Sequence, residues 1–427
     1  MNNIYQCEAM PVEEVYKKEQ LLADFDQVVE GIMTKHPKTF TVVSEFKALT
    51  LAQRAKIIDM SEYDFFQILA PVIAKMNCGH AYIHYSKQQY ADRDKNGNFF
   101  PLNVKVINKE LYLVDNFSDS YLKKGAKIHA INGQDVANIL EEIYASSTSD
   151  GGNSSAKLAK LNSEFSSYCP NSGCFNIAYY IFISSPEIFN ITYSIPPNVS
   201  LINGIIPPKS YVPLPVNNEP LSFSYKNNYA ILTISHFYTY HEQEFKTFSR
   251  DLDYFFSELK KKATKHLILD LRYNGGGDPN AGNLLLTYLL TYPFQYFNDD
   301  VTGTYFPLTL GSQINKNVFN GQLVVLINGL GFSTTGHILS LLVDQKRGTF
   351  IGQESGGGYV CNDRSEIIKL NNTKISFNLP TAAFSTSVQG QVKGRGVIAN
   401  IETKYNIEDY LNNSDLEMNA ALDLIQD

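Results

Sequence analysis

The feature that most constrains the fold is a regular alternation of apolar strands and amphipathic helices in the second half of the chain. From about residue 222 onward, the apolar runs "YAILTISHF", "HLILDLRY" and "QLVVLING" are separated by segments of helical periodicity at 243–261, 281–291 and 334–346. Strands that are apolar throughout are typical of a sheet buried on both faces, and intervening helices are typical of crossovers between parallel strands. The pattern predicts an α/β core with a mixed, largely parallel sheet, whose sites lie at the carboxyl ends of strands.

The first 95 residues are predicted to form a helical segment. Apolar residues recur at helical spacing in "EQLLADFDQVVEGIMTKHP", and Pro37 ends that helix. A second helical run, "YDFFQILAPVIAKMNCGH", is expected to end at Gly79, because glycine is common just after helices. The following stretch "HAYIHY" (80–85) has the alternation of a strand.

Residues 96–190 are predicted to form a small β-rich domain, followed by the α/β core at 191–427. Short strands alternate with turns, and "AINGQD" contains an Asn-Gly dipeptide typical of a tight turn before a helix. The polar stretch "SSTSDGGNSS" (146–155) is interpreted as a surface loop, and the proline-rich 206–220 as a linker. The domain boundary is therefore expected between 190 and 222.

Composition excludes several classes of function. At 427 residues and 48.0 kDa the chain is expected to hold two or three domains. A net charge of −7, with no Lys/Arg block, argues against a nucleic-acid partner. No apolar run reaches the roughly 18 residues of a transmembrane segment. The start, "MNNIYQCEAM", lacks the basic and apolar regions of a signal peptide, which fits either a protein that stays inside the cell or one whose signal has been removed. Our expectation is an exported protein (periplasmic or extracellular), with a cytoplasmic location as the alternative. The oligomeric state is not indicated.

The five cysteines do not predict a metal site. They lack paired CxxC spacing, and Cys169 and Cys174 stand close enough for a loop disulfide in an oxidising compartment. The five are Cys7, Cys78, Cys169, Cys174 and Cys361.

Three glycines follow a buried strand in "LILDLRYNGGGDPNAG" (267–282) and precede a helix. Such a turn exposes backbone amides to an anion, because no side chain blocks the approach. A phosphate site is disfavoured, since the GK[ST] of a P-loop is missing and Asn280 replaces the third glycine of GxGxxG. The alternative is an oxyanion hole.

The stretch "NGLGFSTTGH" (328–337) contains a candidate nucleophile, Ser333. GLGF is typical of PDZ peptide-binding loops, but here a buried strand precedes it and a helix follows, so we interpret the match as coincidental. Ser333 lies at the predicted strand-to-helix turn, which suits a nucleophile, although Thr335 replaces the last glycine of GxSxG. Local pattern alone favours a simpler interpretation, in which Ser333 caps the helix.

Taken in order, "LILDLRYNGGG", "LVVLINGLGFSTTGHI", "RGTFIGQESGGGYV" and "GRGVIANIE" resemble the carboxyl-terminal processing (tail-specific) serine peptidases, including the core of the tricorn protease. The resemblance covers most of the chain. It implies a ClpP/crotonase-like core and a PDZ-like domain, in which "KKGAKIHAINGQDV" (123–136) matches the family's strand-turn segment.

The resemblance also implies roles for individual residues. Ser333 matches the nucleophile, and Gly358 stands where the processing branch has its general-base lysine, so a Ser-Lys dyad is not supported. The tricorn-like branch takes its base from a histidine in a segment resembling "CGHAYIHY", which makes His80 the candidate. A metal pair of His80 with His84 is the weaker alternative, since no third ligand accompanies them. No metal or organic cofactor is implied.

The family's late glutamate, which orients the histidine, has no clear match. The corresponding stretch, "SVQGQVKGRGV", contains Gln391 but no carboxylate, and Glu402 lies just beyond it. The orienting group is therefore expected to be Glu402, Gln391 or nothing equivalent.

The leading prediction is a serine endopeptidase acting on extended or C-terminal peptide segments, with strand addition to the PDZ-like domain as a means of holding them. His80 would take the proton of Ser333, and the oxyanion would be held by the amides of Thr334 and of Gly276 or Gly277. The main alternative is an inactive relative that binds peptides. A third hypothesis is a carrier of apolar small molecules.

Overall fold

The computed structural model describes residues 15–86, 98–100, 102–118, 120–163, 189–206, 209–210 and 219–426. Cys7, Cys169 and Cys174 lie outside these ranges, as does most of the predicted linker. The proposed pairing of Cys169 with Cys174 therefore stays a prediction.

The N-terminal region is helical, as predicted. The first helix ends before Pro37 and buries Phe25, Val28 and Ile32 along one face. The third ends at Ala74, so the expectation that it would continue to Gly79 is wrong; Asn77 takes the positive φ in the turn that follows. The elements are β1 Val15–Tyr16, α1 Lys18–Lys35, α2 Val43–Arg54, β2 Met60–Ser61, α3 Glu62–Ala74 and β3 Tyr82–His84.

The next region is a β-rich module with its own apolar core. Asn132 and Gly133 both have positive φ and form the predicted tight turn. Its elements are β4 Asn98–Phe99, β5 Leu102–Ile107, β6 Glu110–Asn116, β7 Lys127–Ile131, β8 Gln134–Asp135, α4 Val136–Ser146, α5 Ser154–Ser163, β9 Phe189–Ser194, β10 Ile202–Ile206 and β11 Lys209–Ser210. The main sheet has the order β10-β9-β7-β6-β5, so it extends to Ile206, beyond the division after residue 190 but within the interval 190–222 in which the domain boundary was expected.

The polar stretch 146–155 is not a surface loop. Ser149, Asp150 and Asn153 are buried, and Asp150–Gly152 forms a 3₁₀ turn that leads into α5. The prediction from polar composition is wrong because these side chains form hydrogen bonds inside the protein. For example, the Asn153 Nδ2 donates to the Ser355 carbonyl at 2.8 Å. This segment connects the β-rich module to the α/β core.

The α/β core confirms the predicted mixed, largely parallel sheet. Its elements are β12 Leu221–Tyr225, β13 Tyr229–Ile234, α6 Glu242–Lys261, β14 His266–Asp270, α7 Pro279–Leu289, β15 Gln322–Ile327, α8 Thr334–Asp344, β16 Thr349–Gly352, β17 Val360–Asp363, β18 Glu366–Lys369, β19 Ser376–Leu379, β20 Ala382–Ser385, β21 Ile401–Glu402, α9 Ile407–Leu411 and α10 Leu416–Gln426.

The main sheet has the order β12-β13-β14-β15-β16-β21, and each pair after the antiparallel β12–β13 is parallel. Alternate residues of β14 and β15 explain why these strands are apolar throughout. Leu267 and Val325 face the core formed with α6, α7 and α8, whereas Ile268 and Val324 face α10. Within the described residues, no helix is both long and apolar enough to cross a bilayer.

A small sheet connects the N-terminal region to the core. Strand β3 pairs with β19, which pairs with β18. Phe377 and Leu379 of β19 share a buried cluster with Phe25 and Ile83 of the N-terminal region. The segment just before β3, which contains His80, is thereby fixed against the α/β core.

Candidate active site

Ser333 lies at the turn between β15 and α8, where its backbone is strained. Its φ of 54° and ψ of −123° are rarely adopted by a residue with a side chain. Although it occupies the position of a helix cap, its side chain makes no capping hydrogen bond. The interpretation of Ser333 as an ordinary cap is wrong, because its hydroxyl faces His80 instead.

Glycines surround this turn because backbone segments approach it closely. A Cβ on Gly276, whose φ is +101°, would stand 2.7 Å from the Cβ of Ser333. A Cβ on Gly357 would stand 2.9 Å from the Ser333 nitrogen. The glycine runs 275–277 and 356–358 therefore both pack against the candidate nucleophile, and for 275–277 this contact explains the glycines without a phosphate ligand.

His80 lies beside Ser333, with 3.1 Å between its Nε2 and the Ser333 Oγ. Its ring packs on Phe332, with 4.6 Å between the ring centroids. Asn378 of β19 donates from its Nδ2 to the His80 carbonyl at 2.7 Å. Burial lowers the pKa of His80, although Asp363 opposes this shift, so the imidazole is in its neutral, basic form at neutral pH.

Two amides near Ser333 are open to an oxyanion. The N–H groups of Thr334 and Gly277 donate to no other residue in the described ranges, and the Thr334 hydroxyl donates to the Gly277 carbonyl at 2.6 Å. The Gly276 N–H, the third amide predicted to hold the oxyanion, is already engaged, because it donates to the Asn274 Oδ1 at 2.9 Å. We therefore assign Gly276 a role in close packing rather than as a donor.

The position of the family's lysine has no room for a side chain. A Cβ on Gly358 would stand far inside van der Waals contact of the Arg395 carbonyl oxygen. A Ser-Lys dyad built at this position is therefore sterically incompatible with the fold. His84 pairs with Ser376 on the small sheet, and the described residues contain no group of three or more His, Cys, Asp or Glu that could hold a metal ion.

Neither residue predicted to orient His80 does so in the structure. Glu402 is exposed on β21 and pairs with the Lys404 Nζ at 3.2 Å. Gln391 donates from its Nε2 to the Ser340 carbonyl at 2.8 Å. The Nδ1 of His80 is buried and has no hydrogen-bond partner among the described residues.

Sequence reasoning missed two carboxylates beside His80. The Asp363 Oδ2 lies 3.9 Å from the His80 Nε2, on a side chain that is 47% exposed. Asp150 is buried and accepts the Gly79 N–H on its Oδ1 at 2.8 Å. Burial raises the pKa of Asp150 to about 7. No local signal identified Asp150, because a polar, glycine-rich stretch is usually exposed.

The site also contains two buried free thiols, Cys78 and Cys361. The Cys361 Sγ lies 3.5 Å from the His337 Nε2. Burial raises the pKa of both thiols, that of Cys78 to about 12, so they are not reactive thiolates at neutral pH.

A serine on a strained strand-to-helix turn of a parallel sheet, beside a histidine, is the arrangement of a serine-type hydrolase. Residues 228–403, which include Ser333, match the model of peptidase family S41. The predicted resemblance and the serine-type peptidase class are both confirmed.

Solved structures agree with this fold at low sequence identity. Mature CPAF is 14% identical, with 96% of this chain and 97% of that chain covered and a TM-score of 0.68. CPAF complexed with lactacystin is 14% identical, with 95% and 97% covered and a TM-score of 0.66. A putative peptidase from Parabacteroides merdae is 13% identical, with 96% of each chain covered and a TM-score of 0.51. No curated protein matches the sequence.

Proposed function

We propose that this protein is a serine endopeptidase in which Ser333 is the nucleophile and His80 the general base. The observation that supports the proposal most is the 3.1 Å approach of the His80 Nε2 to the Ser333 Oγ. This distance is within hydrogen-bond reach, and the low pKa of His80 keeps the imidazole ready to accept a proton.

The chemistry follows from these positions. The Ser333 Oγ attacks the scissile carbonyl while its proton passes to the His80 Nε2, which then protonates the leaving amine. The N–H groups of Thr334 and Gly277 stabilise the oxyanion, each by roughly 3 kcal/mol. Water then hydrolyses the acyl-enzyme with His80 again as the base.

Substrates are extended or C-terminal peptide segments. Ser333 is 9% exposed and the His80 side chain 15%, so a narrow extended chain reaches them more readily than a folded surface. Exposed Tyr238 and Tyr240 follow Phe237, which bridges to Gly277, and offer apolar contact beside the site.

A peptide that adds as a strand at the β5 edge of the β-rich module must first replace hydrogen bonds that already exist there. There the Asn162 side chain already bonds both backbone groups of Val106, accepting its N–H at 2.7 Å and donating to its carbonyl at 3.1 Å. A peptide added at this point of β5 must displace Asn162 and with it the end of α5.

The test combines fluorophosphonate labelling with cleavage of a peptide library by wild type, Ser333→Ala and His80→Ala. We expect wild type to be labelled at Ser333, and both variants to lose about 10³-fold or more in kcat/KM. Each variant must keep the wild-type Tm for the comparison to count. Unchanged cleavage by Ser333→Ala would remove the proposed nucleophile.

An inactive, peptide-binding relative is the second candidate. It is favoured by the His80 Nδ1, which has no partner among the described residues, and by the absence of a carboxylate at Gln391. Peptide binding by folded wild type, without labelling or cleavage, would support this candidate.

A further inference from the structure

The structure contains two buried polar atoms near the active site that lack partners and are complementary. The His80 Nδ1 and the Asp150 Oδ2 are both buried without a hydrogen-bond partner among the described residues. One is a potential donor and the other an acceptor, and buried polar atoms are nearly always paired in native proteins. A hydrogen bond links the two segments, since the other Asp150 oxygen accepts the N–H of Gly79, the residue that directly precedes His80.

We infer that Asp150 is the carboxylate that positions His80, taking the place of the family's late glutamate. This inference rests on the proposed function of His80 as general base. Asp150 is a positioning residue, because it acts on the substrate only through the imidazole.

The backbone around Asp150 is fixed against the loop that carries His80. The Gly151 N–H donates to the Asn77 carbonyl at 2.9 Å. Gly151 also packs directly on the backbone of Gly394, which leaves no space for a Cβ. Asn153 is bonded to the Ser355 carbonyl, so the turn is held from both sides. A carboxylate on this turn is therefore held in place beside the histidine.

The other nearby carboxylate cannot perform this role. Asp363 approaches the Nε2 of His80, the same nitrogen that faces Ser333, at 3.9 Å. An acid that orients the base must accept from the opposite nitrogen, Nδ1. Asp363 is also 47% exposed, whereas Asp150 is 3% exposed.

Asp150 is ionised above its pKa of about 7, and the carboxylate would then act in two ways. Accepting the Nδ1–H holds the tautomer whose Nε2 lone pair faces the Ser333 Oγ. When the Ser333 proton moves to Nε2, the carboxylate stabilises the imidazolium that forms, and no proton needs to pass to Asp150. The charged or titratable groups around the pair are Lys160 on α5, Asp363 and Cys361 on β17, His337 on α8 and Cys78 in the preceding loop.

The test compares kcat/KM against pH for wild type, Asp150→Asn and Glu402→Gln. Asparagine keeps an oxygen acceptor for the Gly79 N–H but removes the charge. We expect Asp150→Asn to lower kcat by about 10²- to 10⁴-fold with little change in KM. The acidic limb of its pH profile should move to lower pH, because His80 loses one of its two neighbouring carboxylates and becomes harder to protonate, with only Asp363 remaining. Glu402→Gln, which removes the rival acid on β21, should stay within about twofold of wild type.

A second measurement does not depend on turnover. In protein with ¹⁵N-labelled histidine, the pKa of His80 is read by NMR in wild type and Asp150→Asn, on a Ser333→Ala background if cleavage interferes. We expect the substitution to lower that pKa, because a negative charge near the imidazole is removed. An unchanged pKa together with an unchanged kcat overturns the inference, as does a loss of activity confined to Glu402→Gln. A shifted pKa in a protein that is never labelled at Ser333 would instead retain the Asp150 assignment and reject the proposed function.

Discussion

The serine side and the histidine side of this site are built in different ways. Ser333 follows β15 in one continuous stretch, and glycines allow the neighbouring backbone segments to contact it. His80 is held by three segments that are far apart in sequence: its own loop, the turn Asp150–Gly152 and the strand that carries Asn378. The serine depends on local backbone geometry, whereas the histidine depends on tertiary contacts.

This difference determines which changes each side tolerates. On the serine side the critical quantity is space, because backbone packs on backbone and one added methyl group displaces the turn. On the histidine side it is charge, because a carboxylate and an imidazole are buried on neighbouring segments and burial shifts the pKa of each toward its neutral form. The predictions below probe space and charge separately.

The largest effect is expected from Gly276→Ala on the serine side. The new Cβ would lie 2.7 Å from the Phe332 carbonyl oxygen and from the Ser333 Cβ, at a φ of +101° that alanine rarely adopts. We expect a loss of about 3 to 5 kcal/mol in the free energy of unfolding, together with loss of activity. Urea unfolding and peptide cleavage measure the two quantities.

The neighbouring Gly275 provides the matched control. A Cβ at Gly275 meets nothing within 4 Å, and its φ lies outside the positive range. Gly275→Ala should therefore change the free energy of unfolding by less than about 1 kcal/mol. Equal destabilisation by the two substitutions would contradict the view that close packing, rather than glycine content, shapes this turn.

The histidine side is tested by the stability of Asp150→Asn as a function of pH. Burial raises the pKa of Asp150 from 3.8 to about 7, so the folded protein favours the neutral acid. Burial of the acid therefore has no ionisation cost for the folded protein below the unfolded-state pKa. As pH rises from there toward about 7, the folded protein loses stability, because the buried acid must either stay protonated or ionise in the interior. Since asparagine is neutral throughout, the variant should be more stable than wild type by about 2 to 4 kcal/mol at pH 8, and the gain should disappear near pH 4.

Asp363→Asn is the control for this measurement. It removes a half-exposed carboxylate from the same neighbourhood, and the free energy of unfolding should change by less than about 0.5 kcal/mol. If Asp150→Asn raises the free energy of unfolding by the same amount at pH 4 and at pH 8, Asp150 is not a buried charge at neutral pH. A protein that becomes more stable while losing activity would support the placement of Asp150 in the catalytic machinery.

The contrast also explains how much could be predicted from the sequence. The alternation of apolar strands and helices predicted the parallel core, and the strand-to-helix pattern around Ser333 placed the serine at its carboxyl edge. Both depend on residues adjacent in sequence. The pairing of His80 with Ser333 required the family resemblance, because 253 positions separate them.

Asp150 was missed for a physical reason. Polar residues with glycines usually remain in water, and only the folded structure shows that Asp150 and Asn153 find internal partners. Glu402 was chosen by its position after the family motif, but β21 leaves that side chain exposed beside Lys404. Which carboxylate reaches a base is decided by packing between segments, and the local pattern does not contain that information.

The smallest expected effect concerns the strain stored at Ser333 itself. At its φ of 54° and ψ of −123°, alanine is as strained as serine, whereas glycine adopts these angles readily. Both Ser333→Ala and Ser333→Gly should be inactive, but the glycine variant should be more stable than the alanine variant by about 1 kcal/mol, after allowing for the greater chain entropy of glycine when unfolded. Thermal and urea unfolding of the two proteins measure this difference. Equal stabilities, or a more stable alanine variant, would mean that the turn relaxes when the hydroxyl is removed. The strained backbone angles would then be caused by the hydrogen bond between Ser333 and His80. In that case the serine side would depend on tertiary contacts, as the histidine side does.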